Sequence, residues 1–282
     1  MQLDNIGKWK VFSIDTGTFY LDGGAMMGSV PKVLWEKTNP PDKLNRIELS
    51  MRCLLVDDGR NRVLIESGIG DKIDNNFIEM FNIKKEKYSL YKALSDNGYS
   101  YKNITHIVLT HLHFDHAGGC TKFNDSNELI ASFPNAKYFI SKTNWRAALN
   151  PNPKDKASYL NENFLILRDS KKLNLIDDNV EIIKGVSTYS VNGHTIGQQL
   201  IKISDKDKNL VFCSDLIPLK SHLKLPWIMG YDLNASLTLK EKKIFLDKAS
   251  DNNWILFLYH DPDIITVRIS KSDKYYDVIE EV

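Results

Sequence analysis

An α/β fold is what this sequence predicts, and three observations carry the prediction. Apolar runs of strand length, bounded by turn residues, alternate along the chain with segments whose apolar residues recur at helical spacing. Polar residues of the kinds that do chemistry recur where strands end, which is where turns expose side chains on one edge of a sheet. A chain of 282 residues, 42% of them hydrophobic, can bury a large core, so residues 1–282 read as one domain, with no internal repeat or low-complexity tract.

The first strand is expected over residues 8–15. Residues 18–28 read as an apolar loop punctuated by Gly23, Gly24 and Gly28. Within it Met26 and Met27 are candidates to wall an apolar ligand, because thioether side chains repack easily, or to seam a homodimer. Residues 31–42 are expected to be irregular, with Trp35 packed over a pocket or core edge. Residues 49–56 and 62–66 form a strand pair turned by Asp57-Asp58-Gly59-Arg60-Asn61. From 71 to 101 the period is helical: Ile73, Phe77, Met80 and Phe81 mark one helix, and Leu90, Ala93 and Leu94 a second that stops at Asn97-Gly98.

Residues 104–109 and 137–141 are the next strands, Asn150-Pro151-Asn152-Pro153 interrupts regular structure, and Leu160, Phe164 and Leu167 give a helical stripe. The C-terminal third reads as strands over 180–183, 187–191, 199–203, 210–213, 254–259 and 264–269. A capping box of Thr238 and Glu241 is expected to open a helix running through Ala249.

A net charge of +1 gives no general attraction for nucleic acid or anionic membranes. Residues 1–10 lack the apolar core of a signal peptide and no run is long enough to span a bilayer, so a soluble, cytoplasmic protein is expected. Cys53, Cys120 and Cys213 are an odd number without close spacing, which argues against a disulfide framework or a zinc ribbon. Cys53 and Cys213 read as buried thiols. Cys120, four residues after His116, either packs or approaches a metal.

The densest chemistry lies in Thr110-His111-Leu112-His113-Phe114-Asp115-His116-Ala117-Gly118-Gly119, directly after an apolar strand. Imidazoles at alternate positions of an extended segment, His111 and His113, point to one side and can grip one metal ion. Asp115 and His116, where the chain turns, can face a second, and Gly118-Gly119 lets the backbone tighten. Further donors follow strands elsewhere: His194, Asp215 and His260.

With those residues in view, the sequence resembles the metallo-β-lactamase superfamily over essentially its whole length. The resemblance implies a four-layer αββα sandwich of two mixed sheets flanked by helices, with the metals at one edge. It also implies that His111, His113 and His194 hold one zinc, that Asp115, His116 and His260 hold the other, and that Asp215 bridges them. Manganese, cobalt or iron would suit such ligands too. Zinc ions about 3.5 to 4 Å apart can share a hydroxide formed at neutral pH, which attacks an ester carbonyl with Asp115 and Asp215 as the catalytic carboxylates.

Residues 214–222 and 226–232 are similar to a branch that contains quorum-quenching lactonases, which implies a small ester or lactone substrate of the N-acyl homoserine lactone type. That branch places a tyrosine three residues after the bridging aspartate, where this chain has Pro218. Tyr231, Tyr259 and His222 are candidates to assist the substrate instead, and Trp35, Trp227 and Tyr231 to close over it. A glyoxalase II-like thioesterase is the runner-up, although Gly193-His194-Thr195-Ile196-Gly197 is followed by Gln198 where such enzymes tend to carry histidine. Phosphotriester or β-lactam hydrolysis, an iron-dependent redox member, a nuclease and a non-catalytic binding protein are further alternatives.

Overall fold

The computed structural model describes residues 1–84, 89–272 and 275–281. Part of the helical reading over 71–101 therefore falls, at 85–88, outside the described residues. In chain order the elements are β1 (Gln2–Ile6), β2 (Trp9–Asp22), α1 (Gly23–Met27), α2 (Lys32–Trp35), β3 (Arg46–Asp57), β4 (Arg62–Ile65), α3 (Asn75–Met80) and α4 (Leu90–Asp96). Then come β5 (His106–Val108), α5 (Phe114–Ala117), β6 (Thr121–Phe123), β7 (Leu129–Ala131), β8 (Lys137–Ser141), α6 (Lys142–Leu149) and α7 (Leu165–Asp169). The remainder is β9 (Leu173–Ile176), β10 (Glu181–Ile183), β11 (Val186–Val191), β12 (Gln198–Asp205), β13 (Lys208–Phe212), α8 (Ala235–Asp251), β14 (Ile255–Phe257), β15 (Thr266–Lys271) and β16 (Tyr276–Glu281).

Among the described residues these strands form two seven-stranded sheets, in the orders β1-β2-β3-β4-β5-β8-β9 and β10 through β16, plus the β6-β7 ribbon. Strand periodicity explains the layering, because alternate side chains leave opposite faces. In the first sheet Leu54, Val56, Val63, Ile65 and Val108 face inward, to an apolar core shared with Ile201, Ile203, Leu210, Phe212 and Phe257 of the second. Their neighbours Cys53, Leu55, Leu64 and Ile107 face outward, onto Leu90 and Leu94 of α4, Trp145 of α6 and Leu167 of α7. On the far side Leu200, Val211, Leu256 and Val267 pack on Phe245, Leu246 and Ala249 of α8. The result is helix, sheet, sheet, helix.

Several local expectations are corrected. The first strand does not stop at residue 15: a bulge at Thr16-Gly17, with Gly17 at φ 112°, absorbs the glycine, and pairing resumes from Thr18 to Asp22 against Arg46 to Ser50. The stretch read as a loop over 18–28 is thus mostly strand followed by α1, whose capping residue Asp22 accepts from the Ala25 amide. The irregular segment holds α2, which buries Trp35 in the shared core. Helix α8 begins before Thr238, because Asn234 is its cap and accepts from the Leu237 amide. Glu241 is therefore free of capping and instead accepts from the amides of Asn192 and Gly193.

Parallel pairing sets the active edge. Strands β4 and β5 run parallel, as do β13 and β14, so both residues of each pair emerge at the same end. Backbone bonds tie the two sheets there: Ser50 N–H to His260 O at 2.9 Å and Gln199 N–H to Thr110 O at 2.9 Å. Cys53, Cys120 and Cys213 are all buried and free, and Cys120 Sγ lies 3.3 Å from Ser67 Oγ, outside the donor groups described next.

Candidate metal centre

Seven donors from four separated segments converge at this edge. His111 and His113 follow β5 in extended backbone, and Asp115 and His116 sit on the single turn of α5 that follows. His194 comes after β11, Asp215 after β13 and His260 after β14. Gly118 makes the turn possible by its size, because a Cβ there would lie 2.0 Å from Ile69 O. His111, His113, His194 and Asp215 form one group of donor atoms that could hold a metal ion, and Asp115, His116 and His260 form another.

The spacing tests whether ions fit. Four donors around a tetrahedral ion at about 2.0 to 2.1 Å lie about 3.3 Å from one another. His113 Nδ1 is 3.0 Å from His111 Nε2 and 3.2 Å from His194 Nε2. Asp215 Oδ2 lies 3.2 Å from His194 Nε2 and 3.9 Å from His111 Nε2. Its other oxygen, Oδ1, lies 3.2 Å from His116 Nε2 and 3.3 Å from His260 Nε2, while Asp115 Oδ2 is 3.6 and 3.5 Å from the same two nitrogens. One Asp215 oxygen thus belongs to each group. His116 Nε2 and Asp215 Oδ1 are buried without a hydrogen-bond partner among the described residues, which divalent cations would satisfy.

Charge divides the imidazoles: His111 and His113 are held neutral, whereas, against burial, neighbouring carboxylates push His116 and His194 towards the protonated form, from which a bound cation would displace the proton. Burial, with the imidazoles of His116, His113 and His194, pushes His111 well below the ordinary histidine range, and burial with His194 and His116 does the same to His113. Both are held in the neutral, ligating form. Burial also opposes charge on His116, but the carboxylates of Asp215, Asp115 and Glu66 outweigh it and hold that imidazole well above the usual range. Asp215 is the converse: burial favours the acid, yet His116, His260 and His194 keep its carboxyl well below the carboxylate range.

Partners behind His194, His260 and His111 orient those rings, as metal-binding imidazoles require, and the Glu66 carboxylate lies near His116. His194 Nδ1 donates to Asp232 Oδ1 at 2.9 Å, and His260 Nδ1 to Ser50 O at 2.9 Å. His111 Nδ1 lies 3.0 Å from Thr110 Oγ1, and His116 Nδ1 3.5 Å from Glu66 Oε1. The fully buried Glu66 also accepts from the Thr110 amide at 3.0 Å. Glu241 accepts from the amides of Asn192 and Gly193, both at 2.9 Å, and so braces the turn that delivers His194. Sequence reasoning missed Glu66, Asp232 and Glu241. The available signals were an acid directly after β4 and the Glu241 left over once Asn234 caps α8.

A cavity of about 400 Å³ opens over the donors. Its floor includes His113, Asp115, His194, Asp215 and His260, and its apolar wall is Leu21, Met26, Phe77, Met80, Phe81, Phe114 and Met229. Phe114, between two candidate donors in sequence, joins this wall to the donor groups: its ring centroid is 5.0 Å from Phe77 and 5.3 Å from Phe81. Of the substrate-side candidates, Met26 and Tyr231 line the cavity. Met27 and Trp35 are buried in the shared core, and Trp227 packs there as well. His222 is buried with Nε2 donating to Met26 O at 3.0 Å, so it holds a wall residue. The Tyr259 hydroxyl donates to Asp115 O at 2.6 Å and is committed there.

The family model described as the Metallo-beta-lactamase superfamily matches residues 49–260. An N-acyl homoserine lactonase of Bacillus thuringiensis is 24% identical over 264 residues, covering 89% of this chain and 93% of the relative. A probable metallo-hydrolase of Mycobacterium tuberculosis is 22% identical over 285 residues, covering 85% and 86%. Among solved structures, a probable metal-dependent hydrolase from Staphylococcus aureus superposes with a TM-score of 0.89 at 26% identity, covering 99% of this chain and all of that one. The dizinc quorum-quenching lactonase AidC, in complex with a product, superposes at 0.80 with 22% identity over 100% and 97% of the two chains.

Proposed function

The chain belongs to the metallo-β-lactamase superfamily, and on that premise we propose that it is a dinuclear zinc hydrolase that opens the ring of N-acyl homoserine lactone-type substrates, a quorum-quenching activity. The observation that carries the reading is the juxtaposition in one cavity of two donor groups, with Asp215 in the first and its Oδ1 within 3.3 Å of His116 and His260 of the second, and an apolar wall of phenylalanines and methionines. A polar ring over the donors and an acyl chain along the wall match that division, and the volume is in the range of small-molecule sites.

His111, His113, His194 and Asp215, with Asp115, His116 and His260, would hold two divalent ions, which would supply a water activated at neutral pH and an electrophile for the carbonyl oxygen. The protein's own groups do the rest. Asp115, braced through its backbone carbonyl by Tyr259, orients the attacking water. Asp215 sets the two donor groups against each other and reduces repulsion between the charges they hold. Tyr231 occupies the cavity wall, where burial, Asp22 and Asp115 push its phenol up to about 12. It therefore stays protonated at neutral pH, and its Oη–H donates to the carbonyl oxygen as negative charge develops. This gives Tyr231 the assisting role for which Pro218 is unsuited.

The test is turnover by zinc-loaded protein against lactones, thioesters, β-lactams and phosphotriesters, with metal analysis of protein purified without added metal. Lactone ring opening with the highest kcat/KM is expected. Good turnover of another class with none of any lactone overturns the substrate assignment.

A further inference from the structure

Resting on the lactonase reading above, we infer that Asp155 is the specificity residue that accepts a hydrogen bond from the substrate, and that it selects lactones bearing an N–H beside the reacting ring. Asp155 lies in the cavity wall and is only 7% exposed. Its Oδ2 accepts from Thr195 Oγ1 at 3.2 Å, and Thr195 Oγ1 is 2.7 Å from the Tyr159 hydroxyl. A carboxylate can only accept, so Thr195 spends its single proton on Asp155 and takes one from Tyr159. This chain of bonds points towards Asp155 and leaves Oδ1 buried with no partner among the described residues.

Local structure does not account for that orientation. Asp155 precedes the 3₁₀ turn Lys156–Ser158, where an aspartate ordinarily caps, yet its side chain makes no capping bond. Nor is it paired with the neighbouring cation, because Lys154 Nζ donates to Asp232 O at 2.5 Å. A buried carboxylate oxygen without a donor is costly in the free protein, and a ligand N–H removes the deficit. Thr195 directly follows His194, and Tyr159 packs on His113 with ring centroids 4.8 Å apart, so the hydrogen-bond chain that ends on Asp155 runs beside the donor group of His113 and His194. Among the cavity's side chains Lys154, Ser158 and Tyr231 can donate, and the carboxylates of Asp115 and Asp215 belong to the two donor groups, which leaves Asp155 as the carboxylate outside those groups that can accept from a ligand. An α-acylamino lactone offers the matching N–H. The same ring with an ester oxygen in place of that N–H offers none.

The experiment measures kcat/KM on that matched pair, N-hexanoyl homoserine lactone and its O-acyl analogue, for the wild-type protein, Asp155→Ala and Asp155→Asn, with metal content and thermal unfolding as checks on folding. The wild-type protein should prefer the N–H substrate by about tenfold to hundredfold, the range expected when a charged acceptor is left unpaired by the analogue. Asp155→Ala should bring the ratio to within about twofold, and Asp155→Asn, which keeps an acceptor without the charge, should retain part of it. Binding of ring-opened N-hexanoyl homoserine, followed by calorimetry, should weaken in the same order. No preference in the wild-type protein, or an unchanged ratio in Asp155→Ala, overturns the assignment of Asp155 alone. No lactone turnover by the wild-type protein overturns the lactonase reading and this inference with it.

Discussion

Replacing Asp232 with alanine isolates the support behind one ligand. Its Oδ1 accepts from His194 Nδ1 at 2.9 Å, the side chain is buried, and it belongs to neither donor group among the described residues. Alanine leaves a buried imidazole N–H without an acceptor, a cost of about 1 to 3 kcal/mol, and frees the ring to rotate or change tautomer. If that cost falls on the metal-bound state, affinity for the ion held by His111, His113 and His194 drops about tenfold to hundredfold, or about 1.4 to 2.7 kcal/mol. Competition against a chromophoric chelator near neutral pH reads this directly. Only one of the two binding steps should weaken, because Asp115, His116 and His260 rest on Glu66 and the Ser50 carbonyl. Asp232→Asn, which keeps an acceptor for the ring, should recover most of the loss. Equal affinity of wild-type and Asp232→Ala protein at both steps would refute the positioning argument.

Three further perturbations test the surrounding scaffold. Glu241→Ala strips the acceptor from the Asn192 and Gly193 amides and should lower stability by about 1 to 3 kcal/mol in urea unfolding, whereas an unchanged midpoint would separate Glu241 from the His194 turn. Gly118→Ala places a Cβ 2.0 Å from Ile69 O and should cost about 2 kcal/mol or more, with a Tm several degrees lower; a Tm equal to wild type would mean that this contact relaxes freely. His222 gives the pH dependence. Burial and then Lys242 lower it from 6.5 to about 3, so on acidification the unfolded chain takes up this proton first. The stability it contributes is full above pH 6.5 and is lost as pH falls towards 3, amounting to about 2 to 3 kcal/mol near pH 4.5. His222→Asn should flatten the acid limb of the stability profile over that window, and a limb of unchanged slope would contradict it.

What the sequence discloses, and what it withholds, follows from the range of the forces involved. All seven metal-ligating candidates are legible because imidazoles and carboxylates directly after apolar strands are conspicuous locally. The layering is equally legible, since Leu54, Leu55 and Val56 alternate between faces by strand geometry alone. Residues 18–22 are misread because Gly23, Gly24 and Gly28 make the stretch look like a loop, and only pairing with Arg46 to Ser50 shows that the strand continues beyond a bulge at Thr16-Gly17. Thr238 and Glu241 satisfy a capping pattern, but Asn234 lies where the chain leaves the metal edge and caps first. Met26 and Met27 are neighbours of one kind and both join the shared core, yet only Met26 also reaches the cavity wall, which no local rule decides. Glu66 and Asp232 act on ligands 50 and 38 residues away, so their roles exist only once the sheets are assembled.

The most direct test of the account is proton release on addition of N-hexanoyl homoserine lactone, followed by pH-stat, because opening the ring yields a carboxylic acid. Zinc-loaded protein should release one proton per lactone opened. Removal of the metal, or Asp215→Ala, should reduce the rate by at least about a hundredfold, and zinc should restore it only in the wild-type chain. Release that is unaffected by chelation, or its absence from metal-loaded protein that readily hydrolyses thioesters or phosphotriesters, would contradict a metal-dependent lactonase.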